Sequence, residues 1–253
     1  MEETKQNVPV AVRNLTMAYG STLIQQELSF DVAQGEIMVV MGESGCGKST
    51  LLRHIIGLNA PASGQVLRDG VDLWNCTEEE HDKILRSSGI LYQSGALWSS
   101  MTLAENVALP LQQFTDYPVA AIKEICEYKL SLVGLAGCGG LYPSEISGGM
   151  RKRAGLARAM ALDPSVLFFD EPSAGLDPLS ARRLDELILE LRESLGATIV
   201  IITHELASIF TIATDSIYLD AETKRMIARG DPRKLREECP VEKVRNFLNR
   251  KNS

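Results

Sequence analysis

Gly42-Glu43-Ser44-Gly45-Cys46-Gly47-Lys48-Ser49-Thr50 gathers a flexible loop, a cation and two hydroxyls in one short segment, directly after the apolar run Ile37-Met-Val-Val-Met41. Glycines let backbone N–H groups converge on phosphate oxygens, and a helix starting behind them adds its positive end. The Gly-x-x-x-x-Gly-Lys-Ser pattern between a strand and a helix is the phosphate-cradling P-loop. In that role Lys48 neutralises the β and γ phosphates of a nucleotide, Ser49 reaches Mg²⁺, and Thr50 supports the α phosphate. Cys46 reads as a small filler of the loop rather than a nucleophile. The competing reading is a glycine-rich turn that binds nothing, and the strand in front of it argues against that.

A second constellation lies far along the chain. Val166-Leu-Phe-Phe-Asp170-Glu171 is an apolar run ending in paired carboxylates. Adjacent residues at a strand end point different ways, so the two acids can divide the work. Asp170 is expected to hold the metal's water shell and Glu171 to act as general base toward an attacking water. Ile146-Ser147-Gly148-Gly149-Met150 offers an anion-binding turn at a helix start. Three single residues complete the set. Gln93 can reach Mg²⁺ and the water, His204 can bond the γ phosphate, and Tyr19 can stack on adenine. Each has a bland alternative (a surface glutamine, a structural histidine, a packing aromatic), and spacing alone leaves all three open.

These groups need a scaffold, and the hydrophobic pattern describes one. Val10 to Ala18 and Leu28 to Val32 alternate as antiparallel strands do, whereas Glu36 to Met41 reads as a strand buried on both faces. A helix is expected from Lys48 to about Gly57. Further strands are expected over Gly64 to Asp69, Gly89 to Tyr92, Val166 to Asp170 and Ala197 to Thr203, with a helix over Leu179 to Leu195. That succession implies right-handed crossovers and a parallel core. Between Gln93 and Pro164 the character turns helical, over Val119 to Val133 and Met150 to Ala161. The tail is charged and helical around Val241 to Leu248.

With 253 residues and an apolar fraction of 45%, the chain suits an α/β core carrying a smaller lobe. No run approaches the roughly 18 apolar residues of a membrane span. The polar start, Met1 to Asn7, lacks the apolar region of a secretory signal, so export is not expected. Five scattered cysteines without metal or disulfide spacing point to a reducing compartment. A net charge of -7 argues against nonspecific binding of nucleic acid or anionic lipid.

Taken together, these motifs resemble the ATP-binding cassette (ABC) ATPases across nearly the whole chain. Tyr19 falls at the A-loop aromatic, Gln93 at the Q-loop, Ile146 to Met150 at the signature, Ser173 to Asp177 at the D-loop, and His204 at the switch histidine. The resemblance implies an α/β fold with a parallel P-loop core, an antiparallel β subdomain and an inserted helical subdomain of about 94–163. The cassette would occupy 8–248, followed by a short tail, 249–253. It also implies a head-to-tail homodimer in which Ser147, Gly148 and Gly149 of one copy face the γ phosphate held by the other, with Asp177 at the same junction. The signature departs from the commonest form, Leu-Ser-Gly-Gly-Gln, at Ile146 and Met150 while keeping the serine and both glycines. ATP hydrolysis is therefore the expected activity.

A narrower resemblance rests on Tyr92 to Trp98, Met101 to Leu111, Ser147 to Met150 and Val244 to Leu248, which are similar to the ATPase subunits of Mla/Mce-type phospholipid transporters. It implies a peripheral ATPase on the cytoplasmic face of the inner membrane, partnered by a multispanning permease, an MCE-domain lipid-binding protein and in some systems a small STAS-domain subunit. In this reading Ser94 to Pro110 docks a permease helix through Leu97, Trp98, Met101, Leu103 and Leu109, although core packing is an equally fair role for each. The alternatives are an ABC ATPase of another kind, for cell division, lipoprotein release or solute import, and a P-loop kinase or GTPase. The last has no use for the Ser147 turn, and no Asn-Lys-x-Asp guanine reader occurs.

Overall fold

The computed structural model describes residues 8–250. The polar segment Met1 to Asn7 and the last residues of the tail, 251–253, lie outside them. Strands β1 (Val10–Tyr19) and β2 (Thr22–Val32) form an antiparallel hairpin, and β3 (Ile37–Met41) leads through the glycine loop into α1 (Lys48–Ile55). Next come β4 (Ser63–Arg68), β5 (Val71–Asp72), α2 (Glu78–Arg86) and β6 (Ser88–Leu91). Helices α3 (Leu103–Phe114), α4 (Val119–Leu132) and α5 (Gly148–Ala159) follow in succession. The chain then runs through β7 (Val166–Asp170), α6 (Pro178–Leu195), β8 (Thr198–Ile202) and α7 (Leu206–Ile212). It finishes with β9 (Asp215–Leu219), β10 (Met226–Gly230), α8 (Pro232–Glu238) and α9 (Glu242–Leu248).

Two sheets result. One is four-stranded and antiparallel in the order β2-β1-β4-β5; the other has six strands in the order β10-β9-β3-β8-β7-β6. In the larger sheet β9, β3, β8, β7 and β6 pair in parallel and β10 closes one edge antiparallel. The mixed α/β architecture, an antiparallel sheet beside a parallel core with helices, is the one expected from the sequence.

The period of two along the central strands divides the interior into two cores. Ile37, Val39 and Met41, with Leu167, Phe169, Ile199 and Ile201, join the core shared with α3 through α7. Met38 and Val40, with Phe168, Val200 and Ile202, join the core shared with α1, β1 and β2. All residues of β3 and β8 are buried, which is why each reads as an unbroken apolar run.

Within 94–110 the structure gives Leu103 and Leu97 the core-packing role of the two readings offered. Leu103 is fully buried and opens α3, whose start is fixed by a capping box between Thr102 and Glu105. It is a core residue rather than part of a groove, and Leu97 packs against the same core. Trp98 stands out at 59% exposure. Helix α5 begins at Gly148, ahead of Met150. Helices α2, α7 and α8 and strands β9 and β10 had no counterpart in the sequence reading. Helix α2 is polar along most of its length, and its Thr77/Glu80 capping box, not an apolar stripe, marks it.

Candidate nucleotide and metal site

The end of β3 and the start of α1 set the P-loop. Gly42 has φ 149° and Gly47 φ 102°, conformations that side-chain-bearing residues rarely adopt. Space forbids a side chain as well. A Cβ on Gly42 would sit 2.5 Å from the Leu219 carbonyl oxygen and 2.7 Å from Cys46 Sγ, and one on Gly47 would sit 2.7 Å from Ile24 Cγ2. Gly47 is the N-cap of α1 and supplies no side-chain acceptor, so the first turn of that helix leaves its N–H groups for an outside anion. Lys48 is buried, and its Nζ donates to the carbonyls of Gly42 at 2.8 Å and Glu43 at 2.9 Å. The ammonium thus lies inside the loop. Burial pushes the Cys46 thiol up, which agrees with a filler rather than a nucleophile.

Parallel pairing of β7 with β8, and of β8 with β3, carries the second constellation to the same end of the sheet. Ser49 Oγ donates to Asp170 Oδ1 at 3.4 Å. Burial, and after it the charge of Glu171, raises the Asp170 carboxyl above its ordinary range, against the hydrogen bond from Ser49. Glu171 turns out of the strand at φ 48°, with its N–H donating to Ile202 O at 2.8 Å. One carboxylate oxygen, Oε1, lies 2.7 Å from His204 Nδ1, while Oε2 is buried with no partner.

A cleft of about 640 Å³ joins these groups. Gly42, Glu43, Ser44, Gly45, Gly47, Lys48, Ser49 and Thr50 line it together with Gln93, Glu171 and His204. Tyr19 lies outside that lining, half exposed, with its hydroxyl accepting from Asn59 Nδ2 at 2.8 Å. Ser147, Gly148, Gly149 and Asp177 are also elsewhere. Ser147 caps α5 by accepting from Met150 N at 3.2 Å. Asp177 caps α6 by accepting from the N–H groups of Leu179 and Ser180, and the Ser180 hydroxyl together with these bonds holds its carboxyl below the usual range. The two caps share one surface, because a Cβ on Gly149 would lie 3.4 Å from Ser180.

Several contributors escaped the sequence. Lys152 is buried, and its Nζ donates to the carbonyls of Ala174 at 2.7 Å and Glu171 at 3.2 Å, fastening the turn that aims the carboxylate. It sits in the Arg-Lys-Arg run of α5, which reads as a solvated charged face. Ile24 and Phe247 line the cleft from opposite ends of the chain. Arg158 donates to the carbonyls of Ala96 at 2.7 Å and Gly95 at 3.1 Å, and so braces the loop that follows Gln93.

Residues 25–174 match the family model described as ABC transporter. A probable ribonucleotide transport ATP-binding protein, mkl, of Mycobacterium leprae is 42% identical over 244 residues, covering 96% of this chain and 69% of the relative. The intermembrane phospholipid transport system ATP-binding protein MlaF of Escherichia coli (strain K12) is 39% identical over 248 residues, covering 98% of this chain and 91% of the relative. Among solved structures, the dimeric post-hydrolysis state of the ATP-binding cassette MJ0796 bound to ADP and Pi superposes with a TM-score of 0.79 at 27% identity, covering 88% of this chain and 98% of that one. No helix among the described residues is long and apolar enough to cross a membrane. With its P-loop, Glu171 and His204 lining one cleft, this chain belongs to the ABC transporter family as its ATP-binding, ATP-hydrolysing cassette.

Proposed function

We propose that this cassette uses ATP to move phospholipid between membranes, working as a homodimer on the cytoplasmic face of the inner membrane. Its partners in this reading are a multispanning permease, an MCE-domain lipid-binding protein and a small STAS-domain subunit. The observation that carries the chemistry is the pair of Glu171 and His204 on the cleft, with Glu171 Oε1 2.7 Å from His204 Nδ1. An imidazole that holds Oε1 orients the carboxylate, and Glu171 takes the proton of the attacking water as general base. Lys48 and the open first turn of α1 bind the phosphates, while Tyr19 stacks on adenine from the outer edge.

Ser49, Asp170 and Gln93 would hold Mg²⁺, which when bound offsets phosphate charge. Their hydroxyl, carboxylate and amide oxygens are hard ligands that suit the ion. The raised Asp170 carboxyl is what a divalent cation would relieve. Among the described residues no three His, Cys, Asp or Glu side chains gather as a metal cage. Nucleotide and water would therefore complete the coordination, as is usual for Mg²⁺. In the dimer, Ser147, Gly148 and Gly149 of one copy would meet the γ phosphate bound by the other, beside Asp177. ATP then favours the closed pair by its greater affinity for that state.

Support for the cargo is similarity to the Escherichia coli phospholipid cassette along nearly all of both chains. The mycobacterial relative carries a different cargo in its name, ribonucleotide. Affinity purification of the chain from solubilised membranes, followed by reconstitution, separates the two. Co-purification of an MCE-domain chain and ATP-dependent transfer of labelled phospholipid are expected. Recovery with a solute permease, and ATP turnover stimulated by ribonucleotide instead of lipid, would overturn the cargo assignment.

A further inference from the structure

Helix α9 lies next to the P-loop, although most of the chain separates the two in sequence. Lys243 Nζ sits among three carboxylates: Asp220 Oδ1 at 2.7 Å, Glu222 Oε1 at 3.3 Å and Glu43 Oε2 at 3.6 Å. Glu43 belongs to the P-loop itself, and the other two follow β9. Asp220 is a fixed anchor. It is buried, its Oδ2 accepts from the Thr223 N–H at 2.8 Å and hydroxyl at 2.7 Å, and its backbone carbonyl accepts from Gln25 Nε2 at 2.8 Å. The same Gln25 amide donates to the Cys46 carbonyl at 2.8 Å, so the anchor is tied to the loop by a second route. One turn along α9, Phe247 packs edge-on against Tyr218, with ring centres 5.2 Å apart, and lines the nucleotide cleft.

The charges give this arrangement a purpose. A carboxylate in a loop that cradles phosphate repels its ligand unless a cation offsets it. Lys48 lies inside the loop, bonded to the Gly42 and Glu43 carbonyls, and the cation that meets the Glu43 side chain comes from α9. Interaction with Asp220, then with Glu222, raises the Lys243 ammonium above its ordinary value, so it stays charged at any physiological pH. We propose that Lys243 is a positioning residue for nucleotide binding: from α9 it draws the Glu43 side chain away from the phosphates and offsets part of its charge, making α9 a working wall of the ATP site.

This inference rests on the P-loop cleft being the nucleotide site, and the test separates the two. ATP is titrated calorimetrically into the full chain and into the Lys243→Met, Lys243→Arg and Lys48→Ala variants, at about 50 mM salt and near 1 M. Lys243→Met is expected to weaken binding about 5- to 20-fold at low salt and only about twofold at high salt, because screening removes a charge effect and spares a packing effect. Lys243→Arg keeps the charge and is expected to bind within about twofold of the parent. Should Lys243→Met prove unstable, Lys243→Gln serves instead: it removes the charge while keeping a donor for Asp220, and the same salt-dependent loss is expected of it. Wild-type affinity of Lys243→Met at low salt, beside lost binding in Lys48→Ala, overturns the inference and leaves the site intact. A loss in Lys243→Met that does not change with salt overturns it equally. Undiminished binding by Lys48→Ala would instead remove the P-loop assignment.

Discussion

The chain opens two helices on glycine-rich turns, and the two are finished differently. At the start of α1 no side chain caps the helix, the backbone is open to an anion, and a buried lysine lies inside the turn. At the start of α5 the turn supplies its own acceptor, because exposed Ser147 takes the N–H of Met150. The cradle at α1 is therefore complete within one copy. The turn at α5 is stable without ligand and presents a weaker positive end to solvent, which suits a surface that meets phosphate only when another molecule brings it. Four substitutions test that contrast.

The largest effect is expected at the cradle's chemistry. Glu171→Gln should slow hydrolysis by about 10²–10⁴ while ATP still binds, as loss of a general base predicts. Phosphate release and calorimetry on the same preparation check this, and unchanged turnover would strip Glu171 of its role. Next comes the ligand's grip. Lys48→Ala removes a charge-assisted contact and should weaken ATP binding about 10- to 100-fold. The contrast itself is probed by Ser147→Ala. Binding of ATP to the single copy should stay within about twofold, whereas turnover of the assembled transporter should fall about tenfold, alongside a helix-cap loss near 1 kcal/mol. If ATP affinity of the single copy collapsed instead, the two turns would not be separate half-sites.

The smallest effect concerns the support beneath the second surface. Asp185 is buried in α6 behind the Asp177 turn; its Oδ2 accepts from Ser208 Oγ at 2.9 Å and its Oδ1 has no partner. Burial pushes its carboxyl up to about 6 from 3.8. A carboxyl raised in the folded state favours folding while protonated, so that contribution is present below about pH 4 and lost as pH rises through about 6. Asp185→Asn keeps an acceptor for Ser208 without the buried charge. At pH 7–8 it should stabilise the chain by on the order of 1 kcal/mol, or about 2–4 °C in melting temperature, after discounting for solvent reached through the neighbouring cavity. The gain should vanish toward pH 4. Melting curves across that range would sink the argument if the gain persisted in acid.

Legibility followed distance along the chain. The P-loop, the Asp170–Glu171 end of β7 and the buried run of β3 are local patterns, and the structure brings Gln93 and His204 to the same cleft. The four strands and the helix expected around them appear with boundaries shifted by a residue or two. What the sequence concealed was contact across it. Lys152 in a basic helix and Lys243 in a charged tail look alike as letters, and only folding shows that one fastens Glu171 and the other meets Glu43. The segment around Leu103 left groove and core packing open for a related reason: the capping box of Thr102 and Glu105 starts a helix there, and only folding shows that Leu103 is buried on it.

Glu171 holds a left-handed backbone angle, a conformation that costs a residue with a Cβ about 1–2 kcal/mol. Lys152 on its carbonyl and Ile202 on its N–H keep it there. Selection for heat resistance alone would therefore favour glycine at this position, yielding a sturdier cassette that clasps fuel and never burns it. Under the proposed role of Glu171 as general base, that conformational cost is endurance given up for work.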